Sequence, residues 1–217
     1  MKTKILTSGF PNGFTSDFND ILVKFVDRKG RFTLIASDFE NNHEKTDRYC
    51  KQWLRFFNDC GIDFKHSCVV DCRMTPEIAK KAVTSADVLW LSGGNTLAQM
   101  KSIESYGLLP ALRERDGVTI GMSAGSINMA KTAIYIPYRE QPKLEIYQAI
   151  GLVDISIEPH YGSRSLLNEM LHITNEYPLY GLSDESFIVI NDDDVSYSGD
   201  IFFIEKGVAK QISYAKN

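Results

Sequence analysis

The chain has no apolar run approaching the ~20 residues that a membrane-spanning helix needs, so no membrane partner is expected. It has no basic excess either. Lys and Arg number 24 against 28 Asp and Glu, a net charge of −4, which argues against nucleic acid as a partner. Cysteines are few: Cys50, Cys60, Cys68 and Cys72. Cys68-x-x-x-Cys72 has the look of half a metal site, but only His66 lies near it and no second pair completes it. Free thiols in a reduced compartment are expected, with no metal and no cofactor. The start, Met1-Lys2-Thr3-Lys4-Ile5-Leu6, lacks the apolar stretch of a signal peptide and reads as a first strand, so a cytoplasmic protein is expected. Linkers, repeats and low-complexity segments are also missing, which makes residues 1–217 one domain. Asp192-Asp193-Asp194 lacks the spaced ligands and closing Glu of a calcium loop and reads as a solvated hairpin turn.

What is present is an ordinary globular composition, 43% hydrophobic and 24% charged over 217 residues. Strands are predicted at 4–8, 31–37, 64–70, 87–91 and 118–120, with helices at 15–26, 46–60, 76–85, 97–106 and 108–115. Thr15 or Ser16 caps the first of these helices, and Pro76 opens the third at its first turn. Repeated strand–helix order implies an α/β fold: a mostly parallel sheet sandwiched by helices. The texture changes after residue 130. Residues 133–151 read as irregular, 153–157 as a strand, 164–175 as a helix and 187–190 as a strand. A β-meander follows at 195–198, 201–205 and 208–212.

The most informative stretch is Gly121-Met122-Ser123-Ala124-Gly125, set between a β-branched run, Val118-Thr119-Ile120, and a helix-compatible one. Gly-x-Ser-x-Gly in that context is the pattern of a nucleophile elbow. A plain Gly-rich turn in which Ser123 caps the helix has the same five residues, so the motif needs support from elsewhere. One support is Gly93-Gly94, which follows the preceding strand. In a parallel sheet both turns lie at the carboxyl ends of their strands, where such folds place their sites.

A serine nucleophile needs a base, and the base needs an orienting acid. His43 lies in a polar loop, His66 in a strand beside Lys65, and His172 inside a helix. His160 directly follows a strand end and a proline, which makes it the candidate base. Asp184 and Glu185 both precede the strand at Phe187 and are both candidate acids. Strand alternation would aim them to opposite sides, without saying which faces His160.

Ser92-Gly93-Gly94-Asn95-Thr96, Gly121-Met122-Ser123-Ala124-Gly125-Ser126, Pro159-His160-Tyr161 and Gly181-Leu182-Ser183-Asp184 occur in the order and approximate spacing of the peptidase E family. The chain resembles that family, the aspartyl dipeptidases of peptidase family S51 with cyanophycinases as relatives, over nearly its whole length. The resemblance implies a class I glutamine amidotransferase-like fold and a serine exopeptidase acting on short peptides, such as Asp-X dipeptides. It also implies Ser123 as nucleophile, His160 as base and Asp184 as acid, at a position where relatives often have Glu. Ala124 with Gly93 or Gly94 would supply the oxyanion amides, and Asn95, Thr96, Glu158 and Arg164 would contact substrate. Glu158 stands where relatives typically have Asn. A carboxylate there would favour a free α-amino group or repel an acidic side chain. Arg164 falls near the place where relatives hold the substrate's acidic group. The resemblance leaves room for a homodimer. A cyanophycinase-like amide hydrolase and a non-catalytic binding module on the same fold are the alternatives.

Overall fold

The computed structural model describes residues 2–136, 143–162 and 171–215. In chain order the first elements are β1 (Lys2–Thr7), α1 (Ser16–Phe25), β2 (Arg31–Ile35), α2 (His43–Asp59), β3 (His66–Val70) and α3 (Pro76–Ser85). Next come β4 (Val88–Leu91), α4 (Thr96–Ser105), α5 (Leu109–Glu114), β5 (Gly117–Met122) and α6 (Ala124–Met129). The later strands are β6 (Thr132–Tyr135), β7 (Glu145–Gln148), β8 (Ile157–Pro159), β9 (Leu179–Leu182), β10 (Phe187–Asn191), β11 (Asp194–Ser198), β12 (Ile201–Glu205) and β13 (Val208–Ser213).

A seven-stranded sheet in the order β11-β10-β1-β5-β4-β2-β3 forms the centre. Its five strands from β1 to β3 are parallel, whereas β10 and β11 pair antiparallel at one edge. Strand neighbours face opposite sides, so a sheet covered on both faces needs strands apolar at every position. Ile5, Phe32, Leu34, Trp90 and Ile120 pack on one face against Phe18 and Leu22 of α1 and Trp53 and Phe57 of α2. Their strand neighbours Leu6, Ile35, Leu89 and Leu91 pack on the other with Val83 of α3, Ile103 of α4, Leu112 of α5 and Met129 of α6.

The chain steps outward from β1 to β2 to β3, then returns through β4 to β5. A constant crossover hand puts the outward helices on one face and the returning ones on the other. The loops leaving β1 and β2 therefore diverge from those leaving their neighbours β5 and β4. Such divergence opens a crevice beyond the carboxyl ends of the strands.

Several boundaries differ from the sequence-based expectation. Helix α2 starts at His43 rather than 46, so His43 opens a helix instead of lying in a loop. The stretch read as irregular contains the β6–β7 hairpin; half-exposed Glu145-Ile146-Tyr147-Gln148 offers too short an alternation to announce itself. Val153 makes only an isolated bridge to Ala130, and the strand proper is Ile157–Pro159. The C-terminal strands divide between two sheets. β10 and β11 join the main one, while β12 and β13 join β9 and β8 in a second sheet of order β13-β12-β9-β8. The 192–193 turn between β10 and β11 is solvated, with Asp192 at positive φ. Most of the helix expected at 164–175 lies outside the described residues.

Candidate active site

Ser123 ends β5 and opens α6 with φ 51° and ψ −111°, a backbone region that costs a non-glycine residue about 1–3 kcal/mol. The surroundings impose it. The Ser123 N–H donates to the Thr7 carbonyl at 3.0 Å, and the Ser123 carbonyl accepts from Ser126 N–H at 2.9 Å and Ile127 N–H at 3.1 Å. Close approach explains the flanking glycines. A Cβ on Gly125 would run into the Leu91 carbonyl at the end of β4, and one on Gly121 would lie 2.7 Å from the Ser126 amide nitrogen. Only glycine at both positions lets α6 fold back this tightly over β4 and β5. Buried Ser126 locks the same corner: its Oγ accepts the Thr7 N–H at 2.9 Å and lies 2.6 Å from the Gly121 carbonyl.

His160 follows β8 at the neighbouring rim, also at positive φ, 56°. Its Nε2 lies 3.0 Å from Ser123 Oγ, and its Nδ1 lies 2.6 Å from Asp184 Oδ1. A carboxylate only accepts, so the proton sits on Nδ1 and leaves Nε2 open toward the serine hydroxyl. The structure thus brings the sequence-nominated serine, histidine and aspartate into one hydrogen-bonded line. Glu185 turns away. It stands at φ 67°, donates its N–H to the Gly9 carbonyl at 2.7 Å and accepts from Asn12 Nδ2 at 3.1 Å. Asp184 and Glu185 diverge because both sit in a turn before β10 begins, not by strand alternation.

Gly93 abuts the serine: a Cβ there would lie 3.4 Å from Ser123 Cβ and 3.3 Å from the Met122 carbonyl oxygen. The Ala124 amide belongs to the first turn of α6, which has no intrahelical acceptor. Asn95 lines the crevice, but its side-chain oxygen caps α4 by accepting the Ala98 N–H at 3.0 Å. Thr96 is buried, and its carbonyl accepts from Asn128 Nδ2 at 2.9 Å. Glu158 lies in β8 and lines a second, smaller cavity beside Ser123, together with Gly94, Ala124 and Tyr135. Arg164 lies outside the described residues.

The main crevice has a volume of about 540 Å³. Ser123, His160, Asp184, Gly93 and Gly94 line one side of it, and Asp38, Asn41, Asn42, Lys45, Tyr49 and Trp53, from the β2 exit and α2, line the other. This second wall was not anticipated, nor was Ser8. The hydroxyl of Ser8 donates to Asp184 Oδ1 at 2.9 Å and accepts the His160 backbone N–H at 2.8 Å. The second wall was findable in principle, because it begins at the carboxyl end of β2, where the fold rule places sites. Among the described residues no helix is long and apolar enough to cross a membrane, and no group of three His, Cys, Asp or Glu is arranged to hold a metal ion.

A profile of Peptidase family S51 matches residues 10–198. An uncharacterized peptidase of Pasteurella multocida (strain Pm70) is 24% identical over 131 residues, 55% of this chain and 61% of that protein. An uncharacterized peptidase of Listeria innocua is 26% identical over 120 residues, 50% of this chain and 57% of that one. The chain thus aligns with about three fifths of the length of these curated relatives. A crystal structure of a peptidase from an acI-B1 Actinobacterium shares the fold with a TM-score of 0.74 at 13% identity, covering 100% of this chain and 96% of the other.

Proposed function

The chain belongs to peptidase family S51, and from that premise we propose that it is a serine peptidase cleaving short peptides through an acyl-enzyme on Ser123. The carrying observation is the line from Ser123 Oγ to His160 Nε2 at 3.0 Å and from His160 Nδ1 to Asp184 Oδ1 at 2.6 Å, anchored on a serine held at positive φ at a helix start.

In this reading Ser123 Oγ attacks the scissile carbonyl carbon while its proton passes to His160 Nε2. Asp184 fixes the tautomer and stabilises the imidazolium that forms. The carbonyl oxygen, now negative, is received by the Ala124 N–H and by an amide of Gly93 or Gly94. His160 returns the proton to the departing amine, and the C–N bond breaks. Water then repeats the sequence, its proton taken by His160 and its oxygen displacing Ser123, which releases the acid product.

The crevice volume suits a peptide of a few residues. Glu158, on the other side of Ser123, supplies a carboxylate for a free α-amino group and supports exopeptidase action, with Arg164 as the partner proposed for an acidic group. A fluorophosphonate should label Ser123, and Ser123→Ala should abolish both labelling and hydrolysis. A dipeptide panel with and without N-terminal Asp then reads the side-chain preference. A protein that neither labels nor cleaves would be a binding module instead.

A further inference from the structure

We propose that Ser8 is a positioning residue for the hydrolytic line, a fourth polar member that holds His160 and Asp184 to each other. The proposal rests on the peptidase reading for its kinetic test and on geometry for the rest. Ser8 is fully buried at the exit of β1. Its single hydroxyl proton goes to Asp184 Oδ1 at 2.9 Å, the oxygen that also receives His160 Nδ1 at 2.6 Å. Its lone pair accepts the His160 N–H at 2.8 Å, and Oγ lies 3.4 Å from His160 Nδ1. Hydroxyl, imidazole and carboxylate thus form a closed triangle, with Ser8 holding one partner by its backbone and the other by its side chain.

Two features of the partners make such a hold necessary. His160 occupies a left-handed backbone conformation, which persists only where surrounding contacts over-determine it; the bond from its own N–H to Ser8 is one of those contacts. Asp184 has a side chain 41% exposed, so water competes for its oxygens and the bond to His160 alone would leave the carboxylate free to rotate. A second, buried donor on Oδ1 removes that freedom.

The rest of the strap is built the same way. The Ser8 N–H donates to the Ser186 carbonyl at 3.3 Å and the Glu185 N–H to the Gly9 carbonyl at 2.7 Å, stapling the 183–186 turn to the end of β1. Next in the chain, Gly9 leaves the space the triangle needs: a Cβ there would lie 3.1 Å from both Asp184 Oδ1 and His160 Cε1. A short acid therefore reaches the imidazole because β1 and the turn are bonded into one rim.

The test compares wild type, Ser8→Ala, Ser8→Thr, Asp184→Asn and the Ser8→Ala/Asp184→Asn double variant. Fluorophosphonate labelling rates and peptide kcat and KM are measured beside the low-field proton resonance of His160 Nδ1–H. Loss of a charge-assisted hydrogen bond sets the size of the effect. Ser8→Ala should lose about 10- to 100-fold in kcat and in labelling rate with KM little changed, and its low-field resonance should broaden or vanish. Ser8→Thr, which keeps the hydroxyl, should retain most of the rate. In the Asp184→Asn background, Ser8→Ala should cost little more, since the two residues act on one geometry.

Rates for Ser8→Ala within about twofold of wild type, or losses that multiply in the double variant, would overturn the proposal. If the wild type neither labels nor cleaves, the peptidase reading fails while the resonance still decides on Ser8. Its absence from wild type, or its persistence unchanged in Ser8→Ala, refutes the positioning role. Should Ser8→Ala not fold, Ser8→Cys, a poorer donor, is read in the same way.

Discussion

Replacing Asp184 by Asn removes one charge from the line while keeping its shape. What is lost is the attraction between carboxylate and imidazolium in the transition state. At a charge separation of about 4 Å and the effective dielectric of a surface pair, that attraction is ~4 kcal/mol, or about 10³-fold in rate. A fully buried acid can cost about 10⁴ where the wrong tautomer is also imposed; the 41% exposure of the Asp184 side chain argues for the smaller figure. The assay is kcat on the best cleaved dipeptide, with the labelling rate of Ser123 as a check independent of substrate. Glu185→Gln is the control, since that side chain meets Asn12 and not the histidine; it should change kcat by less than about threefold, as surface substitutions usually do. A large loss in Glu185→Gln with little in Asp184→Asn would refute the reasoning.

Gly125→Ala should lower the thermal midpoint by the equivalent of about 1–3 kcal/mol or prevent folding, because its methyl would overlap the Leu91 carbonyl; an unchanged midpoint would mean α6 does not press on β4 as described. Ser126→Ala strands the buried Thr7 N–H that its hydroxyl accepts and should cost about 1–3 kcal/mol in a denaturant titration, with no cost if that amide finds another acceptor. Burial pushes the Cys50 thiol up to about 11, so at pH 8 it should be the slowest of the four cysteines to alkylate in the native protein; mass spectrometry showing it modified first would contradict its burial. Hydrogen bonds from Arg73 hold the Asp47 carboxyl below its ordinary value. Their stabilisation is complete above about pH 4 and fades as the pH falls through the lowered folded value, so Arg73→Gln should flatten the acid side of the midpoint-versus-pH curve, whereas curves of the same shape would exclude the linkage.

How much of this was legible in the sequence followed the physics of each segment. Strands buried on both faces, such as Val88-Leu89-Trp90-Leu91, announce themselves as short apolar runs between turn residues, and Thr15 and Thr75 mark helix starts through side-chain caps that the structure contains. Segments stabilised by tertiary contact were harder. Among the described residues β6 and β7 form a two-stranded sheet of their own, and Leu179–Leu182, strand β9, runs into the Gly181 motif without an apolar run long enough to mark it. At the site, the serine and histidine were visible because elbow and strand-end geometry restrict residue choice. The choice between Asp184 and Glu185 was not available from periodicity, since neither belongs to a strand. Ser8 was invisible for another reason: a serine after a strand is ordinary, and its role comes from partners 152 and 176 positions away.

The same topology that hid Ser8 explains why it can matter. β1 lies between β5, which carries Ser123, and β10, which follows the turn carrying Asp184. β8, which delivers His160, belongs to a different sheet and reaches the main one at this rim. His160 leaves the end of β8 and Asp184 follows the end of β9, parallel strands that pair Pro159 with Leu182, so their register brings these two residues near each other but does not by itself set either against Ser123 on the main sheet. β1 is the strand that touches both sides. Thr7 fixes the elbow through Ser123 and Ser126, and Ser8 and Gly9 fix the turn and the histidine. Three consecutive residues thus tie Ser123, His160 and Asp184 to one strand end, which is why a change at Ser8 is expected to act on rate before it acts on substrate affinity.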